Sequence, residues 1–302
     1  MSNILEPANP SLDSILADTR YFEIKSHAVG AKFGIWVTIP ARYSDEVDTV
    51  FPVIYVLDGN WTAPTFVPIG RRLRDDPIHP IQPFIQVSIG YCGADVENQD
   101  RIRNRDLRPP REPLDPAFEA MIDRMAADRR IWKTMEDAEA YKESLRNPRG
   151  DAFLDFIVAE LHPAIQAVYR IDDSGVGLFG YSYGGLFTAW AALQPALPFT
   201  RIGAGSPGIN RPDSTVFKCL DKGFEANDDY LERELHITIC EREVTAPTFY
   251  QQTAQNFGRF VAAVSIAKPP RLTVTSRIIP DETHFTGMGA SWWSFLRACY
   301  SA

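Results

Sequence analysis

The chain has 302 residues, of which 45% are hydrophobic, 12% aromatic and 23% charged, with a formal net charge of −8. This composition supports a sizeable packed core and excludes a disordered or fibrous chain. The acidic balance argues against a nucleic-acid binder, which needs a dominant basic face.

The start, MSNILEPANPSLDSILADTR, has no basic segment leading into an apolar one, and no apolar run reaches the roughly 18 residues of a membrane span. A soluble, cytoplasmic protein with no membrane partner is expected. Cys92, Cys219, Cys240 and Cys299 are scattered without a C-x-x-C pair, which points to reduced structural thiols. Cys240, at the end of a strand pattern, reads as a buried inert thiol.

Four short β-branched and aromatic runs come first: RYFEIKSH (20–27), FGIWVTIP (33–40), FPVIYVLD (51–58) and FIQVSIG (84–90). They predict strands. The third and fourth are almost continuously apolar, as in parallel strands covered on both faces, whereas the first two alternate and suit an antiparallel edge. Residues 95–147, with the Arg- and Pro-rich DRIRNRDLRPPREPLDP, break the rhythm and predict a lid-like excursion over the carboxyl edge of the sheet. Over 148–169, Asp151 is placed to cap a helix whose stripe is Phe153, Ile157, Leu161, Ile165 and Val168, with a bend at Pro163.

Strands at 175–181, 200–205, 235–240 and 271–279 then alternate with helices at 184–193, 247–266 and 288–300. Eight strands with helices between the later ones predict an α/β fold: a mainly parallel sheet covered on both faces, in one domain spanning 1–302.

Gly180-x-Ser182-x-Gly184 follows a strand and precedes a helix, the context of a nucleophile elbow. The serine of such an elbow sits on a strained turn, so its neighbours must be small; Gly180 and Gly184 meet that need and Gly185 adds room. A hydroxyl is a weak nucleophile until a base takes its proton. Of the five histidines, His27, His79, His162 and His236 read as structural, while His284 in PDETHFTGMG lies just beyond the last strand, on the edge where the serine emerges. The third member is then an acid between them. Strand 235–240 runs into EREV, offering Glu241 and Glu243; Glu243, read as already in the loop, is preferred, and Asp281 is an outside candidate.

Acyl transfer also needs donors aimed at the developing oxyanion. The backbone N–H of Tyr183, following the serine, is one; the N–H of Asn60, after Asp58-Gly59, is the other by position. Trp61, Phe66, Tyr181 and Tyr183 are candidate aromatic walls of a substrate pocket. Arg101, Arg103, Arg105, Arg108 and Arg111 offer guanidinium groups to an acidic substrate, but Asp100, Asp106 and Glu112 are interleaved with them, so internal pairing is equally open. Trp292 and Trp293 read as core.

VIYVLDGNW, RNRDLRPP, GDAFLDFIVAELHPAIQAVYRID, GLFGYSYGGLFTAWAAL and THFTGMG together resemble the Putative esterase branch of the α/β-hydrolases, which includes esterase D, the mycolyltransferases and siderophore esterases. The elbow is most similar to the siderophore-esterase members. The resemblance implies a serine carboxylic-ester hydrolase without cofactor or metal, acting on a small-molecule substrate, a small or medium ester, with a siderophore lactone among the candidates. It supports Glu243, since the family's acid follows the strand in a Gly-Glu-x-Glu-like segment; Cys240 stands here in place of that glycine. It also implies an oxyanion donor at Asn60 and a structural role for the Arg105–Asp106 step.

GAGSPG (203–208) matches G-x-G-x-x-G, but Pro207 and INRPDS preclude the immediate helix that a pyrophosphate needs. No second histidine lies at ligand spacing from DETH, so no metal is expected. An acyltransferase with the same three residues and a catalytically silent binding protein are the alternative functions.

Overall fold

The computed structural model describes residues 11–128, 134–224 and 229–302. Eight strands form one sheet: β1 (Thr19–Lys25), β2 (Lys32–Thr38), β3 (Val53–Val56), β4 (Ile85–Tyr91), β5 (Gly177–Tyr181), β6 (Arg201–Gly205), β7 (Arg233–Cys240) and β8 (Leu272–Ile279). Their order is β1-β2-β4-β3-β5-β6-β7-β8. β1 and β2 form the antiparallel edge, and every pairing from β4 through β8 is parallel. The predicted α/β-hydrolase architecture is the one observed.

The apolar runs account for the layers. β3, β4 and β5 are buried at every position, so they carry side chains into packing on both faces. On one face lie Tyr55, Phe153, Phe156 and Phe187; on the other, Phe66, Phe179, Trp292 and Phe295 close around the helix Met288–Cys299. Trp293 packs against that second cluster, as read from sequence.

Three local expectations change. Asp58-Gly59-Asn60 opens a helix, Gly59–Arg74, at a place where the sequence predicts no element. Gly59 is required because a Cβ there would lie 2.7 Å from the backbone carbon of Ile89. The stretch 148–169 is broken into Gly150–Asp155, a wider π-helical turn at Phe156–Leu161, and His162–Gln166. Its N-cap is Arg149, with Asp151 inside the first turn.

Within 95–147 the described residues form helices Gln99–Asp106, Pro116–Ala127 and Met135–Arg146. Asp115 and Thr134 cap the last two, and Lys142 pairs with Asp123 at 2.7 Å to hold them side by side. Two backbone bonds, from Arg149 N–H to Arg105 O and from Gly150 N–H to Arg108 O, tie the segment to the body.

Candidate active site

The four chemically important groups arise at the carboxyl ends of successive parallel strands, where open α/β sheets gather their ligands. Ser182 follows β5, Ser206 follows β6, Glu243 follows β7 and His284 lies beyond β8.

Ser182 has φ 60° and ψ −119°, a strained conformation for a residue with a Cβ. Its N–H donates to Gly205 O and its carbonyl accepts from Gly208 N–H, both at 2.9 Å, so backbone bonds hold the turn from both sides. A Cβ at Gly180 would lie 2.3 Å from Gly184 O, and one at Gly185 would lie 2.4 Å from Gly205 O. At Gly184 the nearest neighbour is 3.5 Å away, an ordinary contact. The close approaches therefore fall on Gly180 and Gly185, a correction to the reading that assigned the second to Gly184.

His284 Nε2 lies 2.9 Å from Ser182 Oγ, and its Nδ1 lies 2.7 Å from Glu243 Oε1. Glu243 is not in a loop: it is the third residue of a short helix, Glu241–Thr245, that starts directly off β7. Its second oxygen accepts from Ser206 Oγ at 2.6 Å and from the Cys240 N–H at 2.9 Å. Burial pushes the Glu243 carboxyl up, but the bonds and charge of His284, with those from Ser206 and Cys240, outweigh it and hold the group below the ordinary carboxylate value.

The imidazole and the loop that carries it are held by several contacts. Tyr181 donates its hydroxyl to His284 O at 2.8 Å, and the Tyr250 ring stacks on the imidazole with centroids 4.3 Å apart. Glu241 accepts from the Asp281 N–H at 2.7 Å, and Arg242 pairs with Asp281 at 3.2 Å. Glu241 and Asp281 thus support the loop that carries His284, and neither is its hydrogen-bond partner. Burial pushes the Cys240 thiol up to about 11, which keeps it a neutral packing group.

Tyr183 N–H and Asn60 N–H each belong to the first turn of a helix, where backbone donors have no intrahelical acceptor and the dipole favours negative charge. The Asn60 side chain is fixed by two bonds with the Tyr91 backbone. Asp58, left-handed at φ 58°, takes a bidentate pair from Arg103 at 2.6 and 2.7 Å. That pair joins the Gln99–Asp106 helix to the start of Gly59–Arg74.

A cavity of about 470 Å³ opens onto Ser182 and His284. Tyr183 lines it, along with Phe118, Met121, Met125 and Tyr141 from the 95–147 segment. Trp61, Tyr181 and Arg105 are not among its lining residues. Trp61 lies under the Arg103 guanidinium, Tyr181 holds the His284 loop, and Arg105 pairs with Asp106 at 2.8 Å. Phe66 is core, stacked on Trp292.

The Putative esterase family model matches residues 111–243. The chain is 32% identical over 172 residues to the ferri-bacillibactin esterase BesA of Bacillus subtilis, covering 57% of this chain and 52% of that one. It is 27% identical over 183 residues to a siderophore triacetylfusarinine C esterase of Aspergillus fumigatus, covering 60% and 52%. The matches therefore span 52% of the length of these curated relatives. Among solved structures, the siderophore hydrolase EstB of Aspergillus nidulans superposes with a TM-score of 0.69 at 22% identity, covering 97% of this chain and 98% of that one. The chain has the α/β-hydrolase fold, and the Putative esterase model matches part of it.

The family match holds Ser182 and Glu243 and stops short of His284. Sequence reasoning missed Ser206 and Tyr250. Ser206 lies within GAGSPG, whose spacing points to a phosphate loop, and it serves the acid instead. Nothing in the sequence near Tyr250 signals its stack on His284, because the two residues come from separate elements. Among the described residues no group of acids, histidines and cysteines is arranged to hold a metal, and no helix is long and apolar enough to cross a membrane.

Proposed function

We propose that the protein is a serine carboxylic-ester hydrolase that works through an acyl-enzyme on a small or medium ester of the siderophore type. The observation that carries the reading is the unbroken hydrogen-bonded line from Ser182 Oγ through His284 to Glu243. Ser182 attacks the ester carbonyl while His284 Nε2 takes its proton, and Glu243 holds the resulting imidazolium. The N–H groups of Tyr183 and Asn60 receive the oxyanion. Collapse expels the alkoxide, which takes the proton from His284; water then repeats the sequence on the acyl-enzyme and releases the acid. The 95–147 segment acts as the cover of this site. The names of the two curated relatives support the siderophore class.

Labelling with a fluorophosphonate followed by peptide mapping tests the reading. The expected adduct is on Ser182, with Ser182→Ala unlabelled, folded and inactive on an activated ester. A labelled residue elsewhere, or wild-type turnover by Ser182→Ala, overturns it.

A further inference from the structure

On the footing of the serine-esterase reading, the contacts of Tyr250 give it a part in the proton transfer. Tyr250 is the first residue of the helix Tyr250–Ala267, which is anchored by the buried Thr253, Asn256, Phe257, Phe260 and Val264. Two of these side chains tie the helix to the chain leaving β6: Thr253 Oγ1 donates to Asn210 Oδ1 at 2.8 Å, and Asn256 Nδ2 donates to Ile209 O at 2.9 Å. The residue just before them, Gly208, donates its N–H to Ser182 O at 2.9 Å. Residues 208–210 are therefore bonded both to the serine turn and to the Tyr250 helix, so one stretch of backbone sets the ring and the nucleophile together.

The ring meets the imidazole face to face, with centroids 4.3 Å apart and planes inclined by 20°. This contact leaves the imidazole edge free for its two working bonds, Nδ1 with Glu243 Oε1 and Nε2 with Ser182 Oγ. Phe249 packs on Tyr250 at 4.0 Å and Phe285 meets it edge-on at 6.4 Å, which limits how far the ring can swing. Burial pushes the Tyr250 hydroxyl up, so the side chain is a neutral phenol whose electron-rich face lies on His284. Such a face attracts a cation more strongly than a neutral ring. The contact therefore strengthens as imidazole becomes imidazolium, and an interaction that is stronger in the transition state than in the ground state is one that raises the rate. Glu243 stabilises the same charge from the imidazole edge, and Tyr250 from its face.

We propose that Tyr250 is a positioning residue: acting through His284, its ring fixes the plane of the imidazole and favours the imidazolium formed when Nε2 takes the Ser182 proton. The hydroxyl has no part in this role, so phenylalanine serves at the position and an aliphatic side chain does not.

The full chain is assayed on p-nitrophenyl acetate with Tyr250 replaced by Phe, by Leu and, through nonsense suppression, by mono-, di- and trifluorophenylalanine. Fluorine withdraws charge from the ring face and leaves its shape nearly unchanged, so a packing role gives a flat series and a charge role a falling one. Tyr250→Phe is expected to keep kcat within about threefold of wild type, and Tyr250→Leu to lose about 30-fold. From phenylalanine to trifluorophenylalanine kcat is expected to fall stepwise by about tenfold in all, with KM changed by less than about twofold. The rate of fluorophosphonate labelling of Ser182, which needs the same proton transfer and no particular ester, should follow the same order. The fluorinated series decides the matter even where Tyr250→Leu does not fold. A flat series in kcat and labelling rate overturns the charge role, and a Phe variant as slow as the Leu variant overturns the assignment to the ring; in both cases labelling of Ser182 in the wild type leaves the esterase reading standing. Absence of both labelling and turnover in the wild type removes the esterase reading and this inference with it.

Discussion

Replacing Glu243 by Gln separates the proposed acid from its neighbour, and the hydrogen bonds dictate how. Glu243 Oε2 accepts from two donors, Ser206 Oγ and the Cys240 N–H. An amide at this position keeps both only by turning its oxygen toward them, which aims its NH2 at His284 Nδ1. That nitrogen must then accept, the proton moves to Nε2, and Ser182 faces a donor where it needs a base. The imidazolium also loses its counter-ion. At the 2.7 Å His284–Glu243 separation an effective dielectric of about 20 gives roughly 6 kcal/mol of attraction. That energy corresponds to a factor of about 10⁴ in rate, an upper figure because the amide dipole replaces part of it. The expected fall in kcat/KM on a p-nitrophenyl ester is therefore about 10³- to 10⁴-fold. Glu241→Gln, which weakens only the bond to the Asp281 N–H, should cost less than about tenfold. Circular dichroism establishes that both variants fold. A loss under tenfold at Glu243, or an equal loss at Glu241, refutes the assignment.

The elbow glycines give a stability test: Gly185→Ala, whose Cβ meets Gly205 O at 2.4 Å, should lose about 2 kcal/mol or more by urea denaturation. Gly184→Ala, with 3.5 Å of room, should change by less than about 1 kcal/mol, and the reverse order would sink the packing argument. His236 gives a pH test. Burial, with Arg277 nearby, pushes its imidazole down from 6.5 to about 4, and the neutral ring sits between Thr275 and Ser294. As pH falls below about 6.5 the unfolded chain takes up a proton that the folded ring refuses until about 4, so stability is lost through that window. The loss attributable to this residue is about 3 kcal/mol, and His236→Gln should flatten the curve by that amount. Parallel curves for the two proteins from pH 7 to 4 would contradict it.

Most strands were legible because they are runs rich in β-branched or aromatic residues, and all eight lie within a few residues of their expected places. Helix Gly59–Arg74 was not, since it contains Pro64 and Pro68, residues that ordinarily break a helix interior. It persists because Thr62, Ala63, Phe66, Val67 and Gly70 are buried, an offset visible only once the sheet is assembled. The helix Thr215–Lys222 also went unread. At the site, Ser182, His284 and Glu243 could be placed from strand-end logic, and the structure brings them within hydrogen-bonding distance of one another. The pocket walls could not be placed the same way. Trp61 and Tyr181 lie beside the motif in sequence, but the ring that faces the imidazole comes from Tyr250, and the apolar wall comes from a segment with no strand to anchor its reading.

The Asp58–Arg103 pair makes two apparently separate variables one. Arg103 rides on the helix that walls the cavity, and Asp58 is the left-handed residue that aims the first N–H groups of Gly59–Arg74. Swinging that wall outward would strip a nearly buried carboxylate of its counter-ion, a penalty of about 3–5 kcal/mol, beside the backbone proposed to receive the oxyanion. Access and catalytic readiness would then trade against each other. An ester too bulky for the closed wall would be admitted only into a site whose anion-receiving amides had lost their anchor, so size selection would register as a fall in kcat as well as a rise in KM.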